Sequence, residues 1–172
     1  MILVISNEIE IEKIEKINGE MDDLSELLVD VVNHGASIGF LSPLKKSESM
    51  KYWQEVLKPN IILLVAKFGG KVIGTVQVDC CTKENGNHRA EICKLMVHSK
   101  FRKNGVGRKL MEMAEEVSKE EQISLIVLDT REGDPSNQLY KSLGFLESGR
   151  IPNYARTAGG ELHTTVIYYK HL

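Results

Sequence analysis

The chain has 172 residues, 42% of them hydrophobic and 27% charged, which suits one domain (1–172) with a full core and excludes a disordered chain. A net charge of −2 gives no general drive toward nucleic acid or an anionic membrane, so the basic cluster at 100–109 is local and favours a compact anionic ligand. Residues 1–5 are too short an apolar run for a signal peptide or membrane span, the histidines are scattered, and Cys80, Cys81 and Cys93 form no C-x-x-C pair. These features predict a cytoplasmic protein with reduced, buried thiols and no metal site.

Alternation in Glu8-Ile9-Glu10-Ile11-Glu12 predicts a half-exposed strand. Residues 21–32 carry Leu24, Leu27, Leu28 and Val31 at helical spacing, with Asp22 and Asp23 near the start where negative charge suits the helix dipole. Residues 33–39 read as a flexible loop. A second helix is predicted over 47–57, with Pro59 just beyond its end. Strands follow at 61–68 and 71–80, joined by the tight-turn pair Gly69-Gly70. A polar turn at 83–88 precedes a strand at 90–97. The helix at 106–119 aligns Val106, Leu110, Met113, Ala114 and Val117 on one stripe. The apolar run 123–128 predicts a strand buried on both faces. A short helix is predicted with Pro135 at its first position and Gly144 at its end. Two last strands, 144–150 and 162–169, give the order β-α-α-β-β-β-α-β-α-β-β: an α/β fold with a mixed sheet flanked by helices. There is no internal repeat and no linker.

Between the strand at 90–97 and the helix at 106–119 lies Arg102-Lys103-Asn104-Gly105-Val106-Gly107. Backbone N–H groups at a helix start lack intrahelical partners, and the dipole makes that end electropositive. The glycines let an anion approach the backbone, and Arg102, Lys103 and Arg108 add positive charge. This is a pyrophosphate site in outline.

Arg102, Gly105 and Gly107 fill the three fixed places of Q/R-x-x-G-x-G/A, and Leu139-Tyr140-Lys141-Ser142-Leu143-Gly144-Phe145 matches L-Y-x-x-x-G-F. With these two blocks in order, the chain resembles the GNAT superfamily of acetyl-CoA-dependent N-acetyltransferases. Four further stretches, 33–40, 88–97, 128–130 and 161–170, resemble the tabtoxin-resistance branch of that family, acetyltransferases that detoxify an amino-acid-like β-lactam. Shared loops bear on substrate class more than a shared core does.

The resemblance implies a central, mostly antiparallel sheet and direct transfer of acetyl from acetyl-CoA to the primary amine of a small amino-acid-like molecule, in a toxin or antibiotic detoxification setting. Two alternatives are acetylation of a protein N-terminus or lysine, and a catalytically silent acyl-CoA-binding module. It also implies no nucleic-acid or membrane partner, and a monomer or homodimer. Pyrophosphate binding falls to Arg102, Lys103, Asn104, Gly105, Val106, Gly107 and Arg108. The pantetheine arm falls to the strand edge at Leu95, Met96 and Val97, with an oxyanion-binding N–H near Met96 or Val97.

Glu91 stands eleven residues before Arg102, the spacing of the general-base glutamate in histone-acetylating relatives. Asp129 is a second candidate base; for both carboxylates a salt bridge with Arg89, Lys94 or Arg131 is the competing reading. Tyr140 matches the tyrosine that protonates the leaving thiolate. The asparagine many relatives carry seven residues before that tyrosine is replaced by Gly133 here, and Asn137 is not in register for its role. His34, Ser37, Tyr154 and His163 are candidate acceptor-pocket residues.

Overall fold

The computed structural model describes residues 8–172, so the apolar start at 1–5 lies outside the described residues. The elements are β1 (Glu10–Ile14), α1 (Met21–Asn33), α2 (Lys46–Glu55), β2 (Ile61–Phe68), β3 (Lys71–Cys80), β4 (Arg89–Val97), α3 (Val106–Glu120), β5 (Leu125–Arg131), α4 (Ser136–Ser142), β6 (Leu146–Arg156) and β7 (Leu162–His171). Single 3-10 turns sit at Glu84–Gly86 and Ser99–Phe101. The seven strands form one sheet in the order β1-β2-β3-β4-β5-β7-β6. Every neighbouring pair is antiparallel except β4 and β5. This is the predicted order of elements and the predicted mixed sheet.

Two apolar layers sandwich the β1–β4 half. On one face α1 buries Leu24, Leu27, Leu28 and Val31 against Leu63, Val65 and Val72, and Trp53 of α2 completes the cluster. Each such leucine contributes roughly 1.5–3 kcal/mol of transfer free energy. On the other face α3 sets Val106, Leu110, Met111 and Ala114 against Leu64, Val76 and Ile92. Gly74 permits that close approach: a Cβ there would lie 2.9 Å from the Met96 carbonyl oxygen and 3.0 Å from Val106 Cγ1. The β2–β3 hairpin closes through Gly69 and Gly70, both at positive φ (57° and 80°), as a two-residue turn of this hand requires.

Several boundaries differ from the sequence reading: the helix read at 47–57 is Lys46–Glu55, the strand read within 8–12 is Glu10–Ile14, the last strand runs to His171, and three more bear on the site. The fifth strand runs from Leu125 to Arg131, and only one of its faces is buried: Ile126 and Leu128 enter the core while Asp129 is exposed. Its apolar run hides that half of it borders a site. Pro135 precedes α4 as its cap residue instead of opening it. The sixth strand continues to Arg156, because a wide irregularity between Ile151 and Ala155 lets pairing with β7 resume. The three cysteines are free but half-buried, and burial pushes the Cys93 thiol up to about 11, which keeps it protonated.

Candidate active site

Parallel pairing of β4 with β5 covers only Arg89↔Leu125 to Glu91↔Val127. Beyond Glu91 the two strands part, and β4 is left with β3 as its only partner. There β4 also bulges: Thr75 opposes Met96 and Gln77 opposes Cys93, so Lys94 and Leu95 together face Val76. Lys94 takes the positive φ (54°) this needs. Its ammonium anchors the bulge, donating to the Ile38 carbonyl oxygen at 2.6 Å and standing 5.8 Å from the Phe40 ring centre.

The parting of the strands opens a cleft of about 570 Å³. Leu95, Met96 and Val97 form one wall, the start of α3 its floor, and Ser136 and Leu139 of α4 the other wall. Gly105, at φ 79°, caps α3 without any side-chain acceptor for the helix N–H groups, and no acidic residue stands in the first turn. Gly107 brings the helix start close to α4, where a Cβ would lie 3.4 Å from Leu139 Cδ2. Arg102, Lys103 and Arg108 all line the cleft. Arg108 reaches across to donate to Ser142 Oγ at 2.6 Å.

Two candidates here have other duties. The Asn104 amide is not on the cleft wall; it donates to the carbonyl oxygens of Phe101 (3.2 Å) and Arg102 (3.1 Å), and so holds the loop's shape. The Met96 side chain packs into the α1 core, so the strand offers its backbone there. The loop is fixed from behind by Asp30 of α1, which accepts from Ser99 N (2.7 Å) and Ser99 Oγ (2.8 Å). Burial opposes the Asp30 charge, but the Ser99 bonds outweigh it and hold the carboxyl below its ordinary range.

Glu91 and Asp129 lie on the α1/α2 side of the sheet, on the part that those helices leave uncovered, and they share a pocket of about 190 Å³ with Val127, Tyr154, Thr165 and Ile167. Tyr154 arrives there from the irregular stretch of β6, next to Asn153 at φ 55°. Asp129 accepts from Thr165 Oγ1 at 2.6 Å. None of the three expected cations pairs with either carboxylate. Arg89 reaches Cys81 Sγ, Lys94 the Ile38 carbonyl, and Arg131 the Asp134 carboxylate at 2.8 Å. Burial first, then the charges of Asp129 and Asp79, push the Glu91 carboxyl above its ordinary range, with Lys94 opposing.

Tyr140 is 5% exposed and packs between Phe145 and Tyr168, with ring centres 5.9 and 6.0 Å away. Its ring belongs to the core and not to the cleft wall. Among the described residues its hydroxyl has no hydrogen-bond partner, yet it is not sealed off, unlike Trp53 Nε1. Burial, and after it Asp129 and Asp134, push the phenol well above its usual range. Asn137 is fully engaged: it donates to the Arg131 and Asp134 carbonyls and accepts from Tyr168. Gly133 turns at φ 85°, a conformation asparagine adopts less readily.

A third cavity, of about 420 Å³, adjoins the cleft; Gly35, Ala36 and Arg131 line both. Ser37 and His163, two of the candidate acceptor-pocket residues, line it. His34 does not. It lines the larger cleft, and its Nδ1 lies 2.7 Å from the Asp30 carbonyl oxygen at the end of α1.

The sequence model of the Acetyltransferase (GNAT) family matches residues 28–145. The chain belongs to this family. It is an acetyl-CoA-dependent N-acetyltransferase. It is 27% identical over 129 residues to an uncharacterized N-acetyltransferase in the hisH-hisA intergenic region of Azospirillum brasilense, covering 73% of this chain and 77% of that one. The fold is similar to that of a ribosomal-protein-alanine N-acetyltransferase from Brucella melitensis (TM-score 0.81, 21% identity, 95% and 99% of the two chains). It is also similar to the Salmonella typhimurium protein yncA, solved with its cofactor acetyl-CoA (TM-score 0.80, 18% identity, 95% and 94%). No described helix is long and apolar enough to cross a membrane.

The sequence reading of this acetyltransferase passes over Arg131 and Arg156 as site residues, although both line the third cavity. A signal exists for the first. Arg131 stands two residues after Asp129 on one strand, so both belong to one face. For Arg156 there is none, because the irregularity in β6 resets its alternation.

Proposed function

We propose that the acetyltransferase acts by direct transfer to the primary amine of a small amino-acid-like molecule. The observation that carries this reading is the Glu91–Asp129 pair, without a cation partner among the described residues and set at the mouth of the β4–β5 divergence. The cofactor cleft fits acetyl-CoA: unpartnered amides at Val106 to Arg108 receive the pyrophosphate, and the free edge of β4 at Leu95 to Val97 faces the pantetheine amides. The acceptor nitrogen attacks the thioester carbon and the C–S bond breaks. The ammonium proton leaves to Glu91, with Asp129 beside it. A backbone N–H near Met96 or Val97 meets the oxyanion. The sulfur takes a proton from Tyr140, whose raised phenol is protonated at neutral pH, and the second proton of the attacking nitrogen passes back to the phenolate as the amide forms. The products are the amide and free CoA thiol.

The small-molecule reading is supported by the acceptor cavity, about 420 Å³ and bounded by 37–42 and 155–159. The test is a CoA-thiol release screen over amino acids, polyamines, antibiotics and peptide N-termini. Turnover confined to small amines is the expected result. Turnover confined to peptides would move the enzyme to protein acetylation, and binding of acetyl-CoA without thiol release would make it a silent acyl-CoA module.

A further inference from the structure

We propose that the acceptor carries an acid group beside its amine, and that Arg131 and Arg156 bind that acid in the 420 Å³ cavity. The proposal rests on the acetyl-transfer reading above and names what the acceptor side recognises.

The charged groups on the cavity wall are the guanidiniums of Arg131 and Arg156, with the imidazole of His163 beside them; among the described residues no carboxylate lines it. The chain as a whole has 24 acidic and 22 basic side chains, so a wall of one sign is not a reflection of composition. Arg131 is an oriented group, its side chain 24% exposed. Asp134 Oδ1 accepts from Nε (2.9 Å) and stands 2.8 Å from Nη2 in an ion pair, which fixes the guanidinium. Nη1 and the second Nη2 hydrogen remain as donors. Asp134 balances the charge of Arg131, but Arg156 has no acid partner among the described residues. One of its nitrogens, Nη1, donates to the Gly160 carbonyl at 3.0 Å, which steadies it and leaves the charge unmatched. An entering anion therefore meets one prepositioned fork and one unmatched cation, the pairing that carboxylates favour.

Placement on β5 connects this to the chemistry. Asp129 and Arg131 are on one strand face, about 6.6 Å apart along the strand. A compact molecule can set its amine against the carboxylates and its acid against the guanidiniums. Phe40, Leu41 and Ala155 give the cavity apolar wall for a short aliphatic body between them. The rival anion for Arg131 is the cofactor, because Arg131 also lines the cofactor cleft. Arg156 and His163 line the acceptor cavity alone.

The experiment measures CoA release from acetyl-CoA by the full chain with the α-amino acids, β-alanine and 4-aminobutyrate, each beside its own carboxamide. For the best acid, the carboxamide is expected to show a KM higher by roughly tenfold or more, the scale of a lost charge-assisted bond. Arg156→Gln and Arg131→Gln are expected to erase most of that acid-to-amide ratio. Arg156→Lys, which keeps the charge and loses the fork, is expected to restore part of it. Equal use of acids and amides, or a ratio unmoved by Arg156→Gln, overturns the proposal while acetyl transfer stands. A rise in acetyl-CoA KM alone in Arg131→Gln assigns that guanidinium to the cofactor and overturns its role here. CoA release with no amine of either kind, from a protein that still binds acetyl-CoA, overturns acetyl transfer itself and the proposal with it.

Discussion

At the start of α3 the enzyme offers its ligand mostly backbone: N–H groups without acceptors, glycines at Gly105 and Gly107, and the open edge of β4. Around the proposed acceptor site it offers side chains, carried on β5, on an irregular β6, and on the loops at 37–42 and 155–159. The donor side must grip a constant molecule, and main-chain geometry does this with few sequence demands beyond glycine. The acceptor side must discriminate, and discrimination resides in groups that differ from chain to chain. The two regions should therefore fail differently when altered.

The sharpest contrast is expected at the carboxylates. Glu91→Gln should lower kcat by roughly a hundredfold to ten-thousandfold, the range of a positioned general base, while acetyl-CoA affinity stays near its starting value. A thermal-shift titration with acetyl-CoA beside steady-state kinetics checks both halves. The pH profile separates the two acids further. If Glu91 is the base, activity is lost as pH falls through its raised pKa, so the acid limb lies above the ordinary carboxylate range. Asp129 is one cause of that rise, so Asp129→Asn should move the limb to lower pH. A severe Asp129→Asn with a mild Glu91→Gln would exchange their roles.

Tyr140→Phe comes next: with Tyr140 as the proposed acid, whose contact forms as charge grows on sulfur, kcat is expected to fall by roughly tenfold to a thousandfold and acetyl-CoA binding to stay nearly unchanged. The ring keeps its contacts with Phe145 and Tyr168, so the melting temperature should hold. Normal kcat on a good amine would leave Tyr140 as a packing residue, in keeping with its place in the core.

On the donor side the mirror-image result is expected. Gly105→Ala forces a side chain into φ 79° at a cost of about 1–2 kcal/mol, or roughly a fivefold to thirtyfold weaker acetyl-CoA. Charge reversal at Arg102 with Arg108 should likewise shrink the thermal shift that acetyl-CoA gives. Neither change should alter the ranking of amines; a changed ranking would break the division between the two regions.

The same division governs which parts of the molecule are legible in the amino-acid sequence. β2 and β3 are legible to their ends, because a continuous apolar run, a Gly-Gly turn and β-branched residues leave one solution. The glycine loop is legible because positive φ and close approach demand a residue type. The bulge at Lys94 is not, since its positive φ is held by Ile38 and Phe40 from a distant loop. Nor is the crossing of Tyr154 toward Glu91, which depends on two extra residues in β6 relative to β7. Asn104 reads as a ligand residue because it stands in the loop; hydrogen bonds to its neighbours' carbonyls put it to structural use.

A last expected effect, on stability first and on acetyl-CoA affinity only through it, tests whether the donor region depends on its support. Asp30 holds Ser99, two residues before the 3-10 turn ends and three before Arg102. Its carboxyl is held below the ordinary range, so it contributes stability that is complete above the unfolded-state pKa and is lost as pH falls through the folded value. Asp30→Asn should cost about 2 kcal/mol near neutrality, the scale of hydrogen bonds to a charged acceptor. The gap between the two proteins should narrow as the pH drops below the carboxylate range, because the wild type then loses the same charge. Denaturant melts at neutral and acid pH read this directly. Acetyl-CoA affinity should fall with it, because a loosened Ser99 lets the Arg102 loop explore shapes that the helix start does not cap, whereas amine KM should not move. A gap constant with pH would mean that Asp30 acts by shape alone, and the loop's position would then rest on Asn104 and the glycines.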